Sequence, residues 1–240
     1  MALGRVGWGA GRGSVTVRVV LYAEGGGDRA GELTLPEAPG VRLLDEHLGP
    51  AHFLVRRAVA DIHGVDPAAV QFDAPLRGPH GRREPRGSDL LVRETVRQLI
   101  TWLRVGQQPH LVVILIDSDG DANGRRSQVD AHVEGHPAQT LTVTAIAVQE
   151  FEAWLSADAA AGVVAGATLQ AIVGVEELPP GEAKRRLSAA VPRGLDALAV
   201  RRSIARHADL DAVRQACPSF NRFCKDLARV GVPGGRTPAG

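Results

Sequence analysis

The sequence predicts an α/β fold, in which a mostly parallel β-sheet is flanked by helices and an all-α annex follows it. Two observations predict this fold. Between residues 15 and 160, short apolar runs alternate with segments of helical apolar spacing, which is typical of a parallel sheet covered by helices. Beyond about residue 160, only helical patterns remain, interrupted at Pro179, Pro180 and Pro192.

These patterns divide the chain into four segments. We expect a flexible Gly-rich leader at 1–14, an α/β domain at 15–160, a helical annex packed on it at 161–230, and a frayed tail at 231–240. A length of 240 residues and a hydrophobic fraction of 44% are sufficient for one sizeable domain with such an annex. No apolar run is long enough to span a membrane, and the leader has no apolar signal core, so we expect a cytoplasmic protein.

The first predicted strand and helix lie in the N-terminal quarter of the chain. Val15–Tyr22 is apolar and β-branched almost throughout, as in a buried strand, and it continues into a glycine-rich turn at 23–28. Apolar residues at helical spacing predict a helix over Pro50–Ile62, with Gly64 as its stop. A short strand is expected at Val70–Phe72.

An irregular loop and a second helix are predicted next. Leu76–Ser88 is dominated by Gly, Pro and Arg, which indicates a long exposed loop. Ser88 is a good N-cap for a helix over Asp89–Arg104. The side chains expected to form its inward stripe are Leu90, Leu91, Thr95, Leu99 and Trp102.

Two further strands complete the predicted sheet. Leu111–Ile116 is the strongest strand pattern in the chain, and it ends in Asp117-Ser118-Asp119-Gly120-Asp121. After a polar, Arg-bearing segment comes Leu141–Val148, which leads into a helix start at Gln149–Leu155. The aromatic residues Trp154, Phe220 and Phe223 are predicted to pack in the core.

Acidic residues follow three of these strands at the point where each strand ends. They are Glu24 and Asp28, then Asp117, Asp119 and Asp121, and finally Glu150 and Glu152. In an open α/β sheet, ligands sit beyond the carboxyl ends of the strands, so these side chains converge if the strands are neighbours. Carboxylates held close together repel one another, and a divalent cation relieves that repulsion. Such oxygen ligands favour Mg²⁺, Mn²⁺ or Ca²⁺ over Zn²⁺.

The same aspartates suggest two other classes of protein. An EF-hand loop is excluded, because its sixth position is Ala122, its twelfth is Gln128, and a strand-like run precedes it. A phosphatase of the haloacid-dehalogenase type also begins with an apolar strand ending in DxDG, and its first Asp is a nucleophile. Two features argue against this class. Asp121 stands where such phosphatases usually have Thr or Val, and no later paired-Asp motif follows.

The acidic motifs at the strand ends resemble those of Toprim domains, whose signature is a Glu-Gly at the end of the first strand and a DxD at the end of a later one. The resemblance is most specific to the Toprim-like domain-of-unknown-function family 4276. Four motifs carry it in order: EGxxD (Glu24–Asp28), DxDxD (Asp117–Asp121), EAWL (Glu152–Leu155) with Ala157-Asp158, and CPSFxxF (Cys217–Phe223). One departure is Gly27, where a small hydroxyl residue is commoner.

The resemblance implies a Toprim-like (Rossmann-like) fold and a metal-dependent nuclease. Glu24 would act as general base or metal ligand, while Asp117 and Asp119 would hold Mg²⁺ (or Mn²⁺). Asp121, Asp28 and Glu152 are candidates for a second metal or its water shell. The resemblance also implies a role in phage defence beside an ATPase partner. The chain has no Walker A motif, so we do not expect it to hydrolyse ATP by that route itself.

Nucleic acid is the expected substrate, although the net charge of +1 provides no global attraction to it. The loop arginines Arg77, Arg82, Arg83 and Arg86 are candidate phosphate contacts. Helical basic clusters could add to them at Lys184, Arg185, Arg186, Arg201, Arg202 and Arg206. The alternative from another class is a non-catalytic interaction subunit that binds a metal or a nucleotide.

Overall fold

The predicted parallel sheet is confirmed. The computed structural model describes residues 15–77 and 85–236. Within them, four strands form one sheet: β1 (Val17–Ala23), β2 (Val70–Phe72), β3 (Leu111–Asp117) and β4 (Thr142–Ala147). Their order is β2-β1-β3-β4, and every neighbouring pair is parallel. Because parallel strands need crossover connections, the helices must lie on the faces of the sheet.

The described residues also contain ten α-helices. Five lie within the predicted α/β domain or at its end: α1 (Gly26–Arg29), α2 (Pro50–His63), α3 (Arg93–Trp102), α4 (Ala122–Val133) and α5 (Glu152–Ser156). The others are α6 (Ala159–Val164), α7 (Glu182–Ala190), α8 (Ala197–His207), α9 (Leu210–Ala216) and α10 (Pro218–Leu227). As predicted, α2 ends at Gly64, which adopts the left-handed conformation with φ of 65°.

Helix α3 differs from its prediction. Ser88 does not cap it, because residues Gly87–Leu91 form a 3-10 turn and the α-helix starts only at Arg93. The tighter turn changes the phase of the following helix, since 3-10 geometry has fewer residues per turn than α geometry. Leu90 and Leu99 are buried as predicted, together with Val96, Ile100 and Leu103, whereas Trp102 is 44% exposed and the inward role predicted for it is wrong.

The two faces of the sheet are buried against different sets of helices. Alternate side chains of β1 and β3 point to opposite faces, as the period of a strand requires. One set, including Leu21 and Leu115, packs in a large core with α2, α8 and α10. The other, including Tyr22 and Ile114, packs in a smaller core with α3 and α4. The helices after residue 160 thus share a core with one face of the sheet.

The order of the strands creates a switch point between β1 and β3. After β1, the chain passes through α2 to β2 on one side, and then crosses to β3 on the other side of β1. In open α/β sheets of this kind, ligands bind where the direction of winding reverses, beyond the carboxyl ends of the two strands. Glu24 directly follows β1 and Asp117 ends β3, so the sheet brings both to this position.

The two ends of the chain are described only in part. The predicted leader, residues 1–14, lies outside the described residues, as do residues 237–240 of the tail. Up to Arg236 the tail follows the body of the molecule, because the Arg236 backbone N–H donates to the His63 carbonyl oxygen at 2.9 Å. Across residues 15–77 and 85–236, none of the helices has the length and apolar character that a membrane span requires.

Candidate functional site

Glu24 and Asp117 meet at the switch point. The Glu24 backbone N–H donates to the Leu115 carbonyl oxygen at 2.9 Å, which extends the β1–β3 ladder by one residue. The Glu24 side chain then turns over the end of β3, where its carboxylate accepts the Asp117 backbone N–H at 3.0 Å. The two strand ends that carry acidic residues in the sequence therefore lie side by side, as the prediction of a shared site requires.

The turn after β3 is held by a buried hydroxyl group. The Ser118 oxygen accepts the backbone N–H groups of Gly120, at 3.2 Å, and of Gln149, at 3.0 Å, and Ser118 is fully buried. Asp119 and Gln149 both adopt positive φ, at 47° and 64°. Such values are uncommon for non-glycine residues and tend to occur where the surroundings constrain the backbone, as at functional sites. Ser118 thus ties the turn after β3 to the turn after β4.

Asp117 lies among other acidic side chains. Its Oδ1 accepts the Phe151 backbone N–H at 2.9 Å, which fixes the carboxylate between β3 and the start of α5. Burial raises the pKa of Asp117 to about 8, and the negative charges of Asp28, Glu152 and Glu24 contribute to this rise, against the effect of the Phe151 hydrogen bond. Asp28, Glu152 and Glu24 are thus all close enough to act on Asp117.

Asp28 and Glu152 share one guanidinium group. Arg201 Nη2, from α8, lies 2.7 Å from Asp28 Oδ1 and 3.0 Å from Glu152 Oε1, and both carboxylate side chains are only 7% exposed. Burial and then the Glu152 charge raise the pKa of Asp28 to about 6, while Arg201 opposes the shift. Gly25 is required for this packing, since a Cβ there would lie 2.1 Å from Asp28 Oδ2.

A second guanidinium group, from Arg125 in the first turn of α4, bridges the other acidic residues. Its Nη1 lies 3.2 Å from Glu24 Oε2 and 2.8 Å from the Asp117 carbonyl oxygen. Its Nη2 lies 2.5 Å from Asp119 Oδ2. The Asp119 side chain is 65% exposed, so this is an open ion pair at the rim of the site rather than a buried one.

Two other predicted acidic residues have local partners. Asp121 is the N-cap of α4, and its side chain accepts the Gly124 backbone N–H at 2.9 Å. Glu150 is buried, and its Oε1 accepts the Lys184 backbone N–H at 2.5 Å; burial is the main reason that the pKa of Glu150 is raised. Both carboxylates therefore have structural roles at helix starts.

The donor chemistry of the site suits a hard divalent cation, since its acidic side chains offer carboxylate oxygen. In the part of the chain that the structure describes, however, no three acidic, His or Cys side chains are already arranged as a ligand set. Arg125 and Arg201 lie between the carboxylates and compensate their charge instead. A divalent cation would fit among these carboxylates only if a guanidinium group made room for it.

The loop arginines are described only in part. Arg82 and Arg83 lie outside the described residues. Arg77 Nη2 lies 3.7 Å from Glu37 Oε1 in an exposed ion pair. Arg86 is exposed, and its Nη1 is 3.5 Å from the position that a Cβ on Gly26 would occupy. Of the two described loop arginines, Arg86 thus lies beside the turn that carries Glu24.

The expected helical basic clusters are mostly compensated by neighbouring side chains. Arg185 and Arg186 both pair with Glu182, each at 2.6 Å. Arg202 is buried and forms an ion pair with Glu32. Arg206 stacks over the Phe53 ring at 4.0 Å. The folded chain thus places an acidic or aromatic partner beside each of these four arginines.

The residue types of the later motifs are explained by packing. The Trp154 indole N–H donates to Ser219 Oγ at 2.8 Å and lies 3.3 Å from Glu176 Oε1. The Ser219 backbone N–H donates to Glu176 Oε2 at 3.1 Å. Cys217 and Cys224 are free and buried, and the predicted core role of Trp154, Phe220 and Phe223 is confirmed.

Sequence reasoning missed Arg125 and Ser118 and misplaced Arg201. Arg125 could not be assigned because α4 was not predicted: its few buried apolar residues, such as Val129 and Val133, are too sparse to show a helical period. The available signal was Asp121, an N-cap residue type four positions before Arg125. No local signal distinguished Arg201, which enters the site, from its neighbour Arg202.

Comparison with family models gives a match over most of the chain. The family model described as Domain of unknown function (DUF4276) matches residues 42–228. The matched region includes Asp117, Asp119, Glu152 and the segment around Ser219, whereas Glu24 and Asp28 precede it. No curated protein and no solved structure matches the chain.

Proposed function

The chain belongs to the DUF4276 family, and from that premise we propose that it is a Mg²⁺- or Mn²⁺-dependent nuclease whose site lies between the ends of β1 and β3. The observation that carries the proposal is the meeting of Glu24, Asp117 and Asp119 at the switch point of the sheet, with Asp28 and Glu152 beside them. The likeness of these residues to the Toprim signature supports the same chemistry.

In this proposal, Glu24, Asp117 and Asp119 hold the cation, while Asp28 and Glu152 contribute to its surroundings. When bound, the ion would supply Lewis-acid stabilisation of a phosphodiester and lower the pKa of a coordinated water. The protein residues orient the metal-binding carboxylates and neutralise the charge of the phosphate. Ser118 and the Phe151 backbone N–H fix the aspartates, and Arg86 offers a positive charge beside the glycine turn, where a phosphate could approach.

Nucleic acid is the proposed substrate because arginines at the rim can bind phosphate groups without reading the sequence. A partnership with an ATPase and a role in phage defence rest on the family resemblance alone. The test of the cleavage chemistry does not depend on either of them.

The test is cleavage of nucleic acid by the full chain in Mg²⁺, in Mn²⁺ and in EDTA. The variants Asp117→Asn and Glu24→Gln are compared with the wild type. We expect both substitutions to reduce cleavage by at least about a hundredfold, a typical loss when a transition-state-stabilising group is removed. Glu94→Gln is the control, because Glu94 is exposed on α3 and its hydrogen bond to Gln98 lies within that helix. Equal cleavage by the wild type and Asp117→Asn would rule out this site as its source.

One observation favours the second candidate, a non-catalytic interaction subunit that binds a metal or a nucleotide. Arg125 and Arg201 already compensate the acidic side chains, so much of the charge at the site is balanced without an ion. A protein of this kind would show no cleavage above that of Asp117→Asn, whether or not it binds Mn²⁺ in calorimetry. Metal-dependent cleavage that Asp117→Asn abolishes would exclude it.

A further inference from the structure

Arg125 occupies a position in its helix that is electrostatically unfavourable for a cationic side chain. It lies in the first turn of α4, after the N-cap Asp121. The N-terminal end of a helix carries a partial positive charge, so a cationic side chain is unfavourable there. The compensation comes from outside the helix, because its guanidinium group contacts Glu24 and Asp119. A residue that conflicts with its own element in this way points to a role at the site.

The position of this guanidinium group coincides with the space that a cation held by the strand ends would need. Its Nη1 lies against Glu24 and the Asp117 carbonyl oxygen, and its Nη2 lies against Asp119. A divalent ion bound by Glu24 and Asp119 would stand next to this positive charge. Because like charges at such a distance repel, the guanidinium group and the ion compete for the same oxygens.

Arg125, rather than Arg201, has the freedom to leave. Its partner Asp119 is 65% exposed and its partner Glu24 is 22% exposed, so both carboxylates are more open than those that contact Arg201. Arg201, in contrast, contacts two carboxylates that are each 7% exposed. Breaking the Arg201 contacts would leave buried charges without a partner, which is costly, whereas an exposed ion pair contributes little.

On the basis of the proposed function, we propose that Arg125 is a built-in competitor of the divalent cation: it occupies the metal position between Glu24 and Asp119 in the metal-free protein and swings to the rim when the ion binds. The displaced guanidinium group then stands where it can contact a substrate phosphate, so that Arg125 is a positioning residue for the same reaction. Its net effect in the absence of substrate is to weaken metal binding.

The test is Mn²⁺ binding to the metal-free full chain, measured by calorimetry in the absence of nucleic acid. We expect Arg125→Gln to bind Mn²⁺ about tenfold more tightly than the wild type, because a competing positive charge has been removed. Arg125→Lys, which keeps the charge but cannot bridge two carboxylates with a planar fork, should lie between the two.

Arg214→Gln is the matched control. Arg214 also bridges two carboxylates, Asp61 and Asp211, and its side chain is 20% exposed, against 21% for Arg125. It lies on α9, away from the strand ends, so its substitution should leave the Mn²⁺ affinity unchanged. Thermal unfolding without metal identifies any variant that fails to fold, and Arg125→Lys then carries the comparison.

The outcomes separate the inference from the proposed function. If the wild type binds Mn²⁺ and Arg125→Gln binds it equally or more weakly, the competition is refuted while the metal site stands. If Arg125→Gln binds and the wild type does not, the competition is supported in its strongest form. If no variant binds Mn²⁺, the proposed metal-dependent function fails, and the inference fails with it.

Discussion

At the scale of single residues, Asp117 is a carboxyl group whose charged form is disfavoured by the metal-free fold. Burial and three acidic neighbours raise its pKa from 3.8 to about 8. The folded state therefore holds a proton that the unfolded chain releases at neutral pH. The stability that this proton contributes is fully present below about pH 4 and is lost as the pH rises through about 8.

We expect Asp117→Asn to remove this pH dependence. Between about pH 5 and 8, the titration of Asp117 should lower the free energy of unfolding of the wild type by at most ~1.4 kcal/mol per pH unit. The amide introduced by the substitution does not titrate, and its oxygen can still accept the Phe151 N–H. The measurement is urea unfolding in EDTA at several pH values, where the advantage of the variant should grow as the pH rises. A variant that is less stable than the wild type at pH 8 would contradict this reading of the site.

The residues of the site also show what the sequence could and could not predict. Glu24 and Asp117 were predictable because a strand pattern followed by an acidic residue fixes both the element and its exposed end. Ser118 was not, because its role depends on Gln149, which is 31 positions away and lies in the turn after another strand. The sequence shows residue types, but partners across the fold become visible only in the folded chain.

At the scale of elements, the strands were predicted more closely than the helices. Buried strands such as β3 are continuous apolar runs, which a sequence shows directly. Helix α4 has almost no apolar period, and α3 is displaced in phase by the preceding 3-10 turn. Both failures concern segments whose conformation is set by what they pack against, here the second face of the sheet.

The start of α10 is joined to α5 by a buried polar contact, which explains the CPSF segment as a structural motif. Ser219 lies between the Trp154 indole and the Glu176 carboxylate, whose pKa is raised mainly by burial. We expect Ser219→Ala to lower the free energy of unfolding by about 1–3 kcal/mol, because Glu176 loses a hydrogen bond in a buried place. Mn²⁺ affinity should not change, since the contact lies outside the acidic site.

Ser203→Ala provides the comparison for Ser219→Ala in the same urea unfolding experiment. The Ser203 hydroxyl lies in an exposed contact with His207, 3.4 Å from its Nδ1, so its removal should change the stability by less than about 0.5 kcal/mol. If Ser219→Ala is no less stable than Ser203→Ala, the packing explanation of the CPSF segment is wrong. If it also weakens Mn²⁺ binding, the segment acts on the site.

At the scale of the whole molecule, charged side chains from each layer of the fold meet at the carboxyl end of the sheet. The sheet supplies Glu24 and Asp117, the α3–α4 side supplies Arg125, and the C-terminal helices supply Arg201. The helical region after residue 160 is thus a part of the site as well as a cover for the sheet. Its contribution could not be predicted from composition, because Arg201 is one of many arginines in that region.

This arrangement predicts that metal and nucleic acid bind cooperatively, through Arg125. A phosphate that accepts the displaced guanidinium group removes it from the metal position, so each ligand should favour the other by the same factor. In the wild type, we expect Ca²⁺, which takes the same oxygen ligands, to tighten the binding of a short single-stranded DNA oligonucleotide by about tenfold, a typical coupling. The measurement is fluorescence anisotropy at fixed ionic strength.

Arg125→Gln should nearly abolish this coupling, because the guanidinium group that competes with the metal and contacts the phosphate has been removed. Arg214→Gln should keep the coupling. The affinity of Arg125→Gln for the oligonucleotide without metal should change little, since in that state the guanidinium group is already engaged by Glu24 and Asp119. A coupling as strong in Arg125→Gln as in the wild type would show that the ion itself bridges protein and phosphate. Arg125 would then be a neutralising side chain without a part in the exchange.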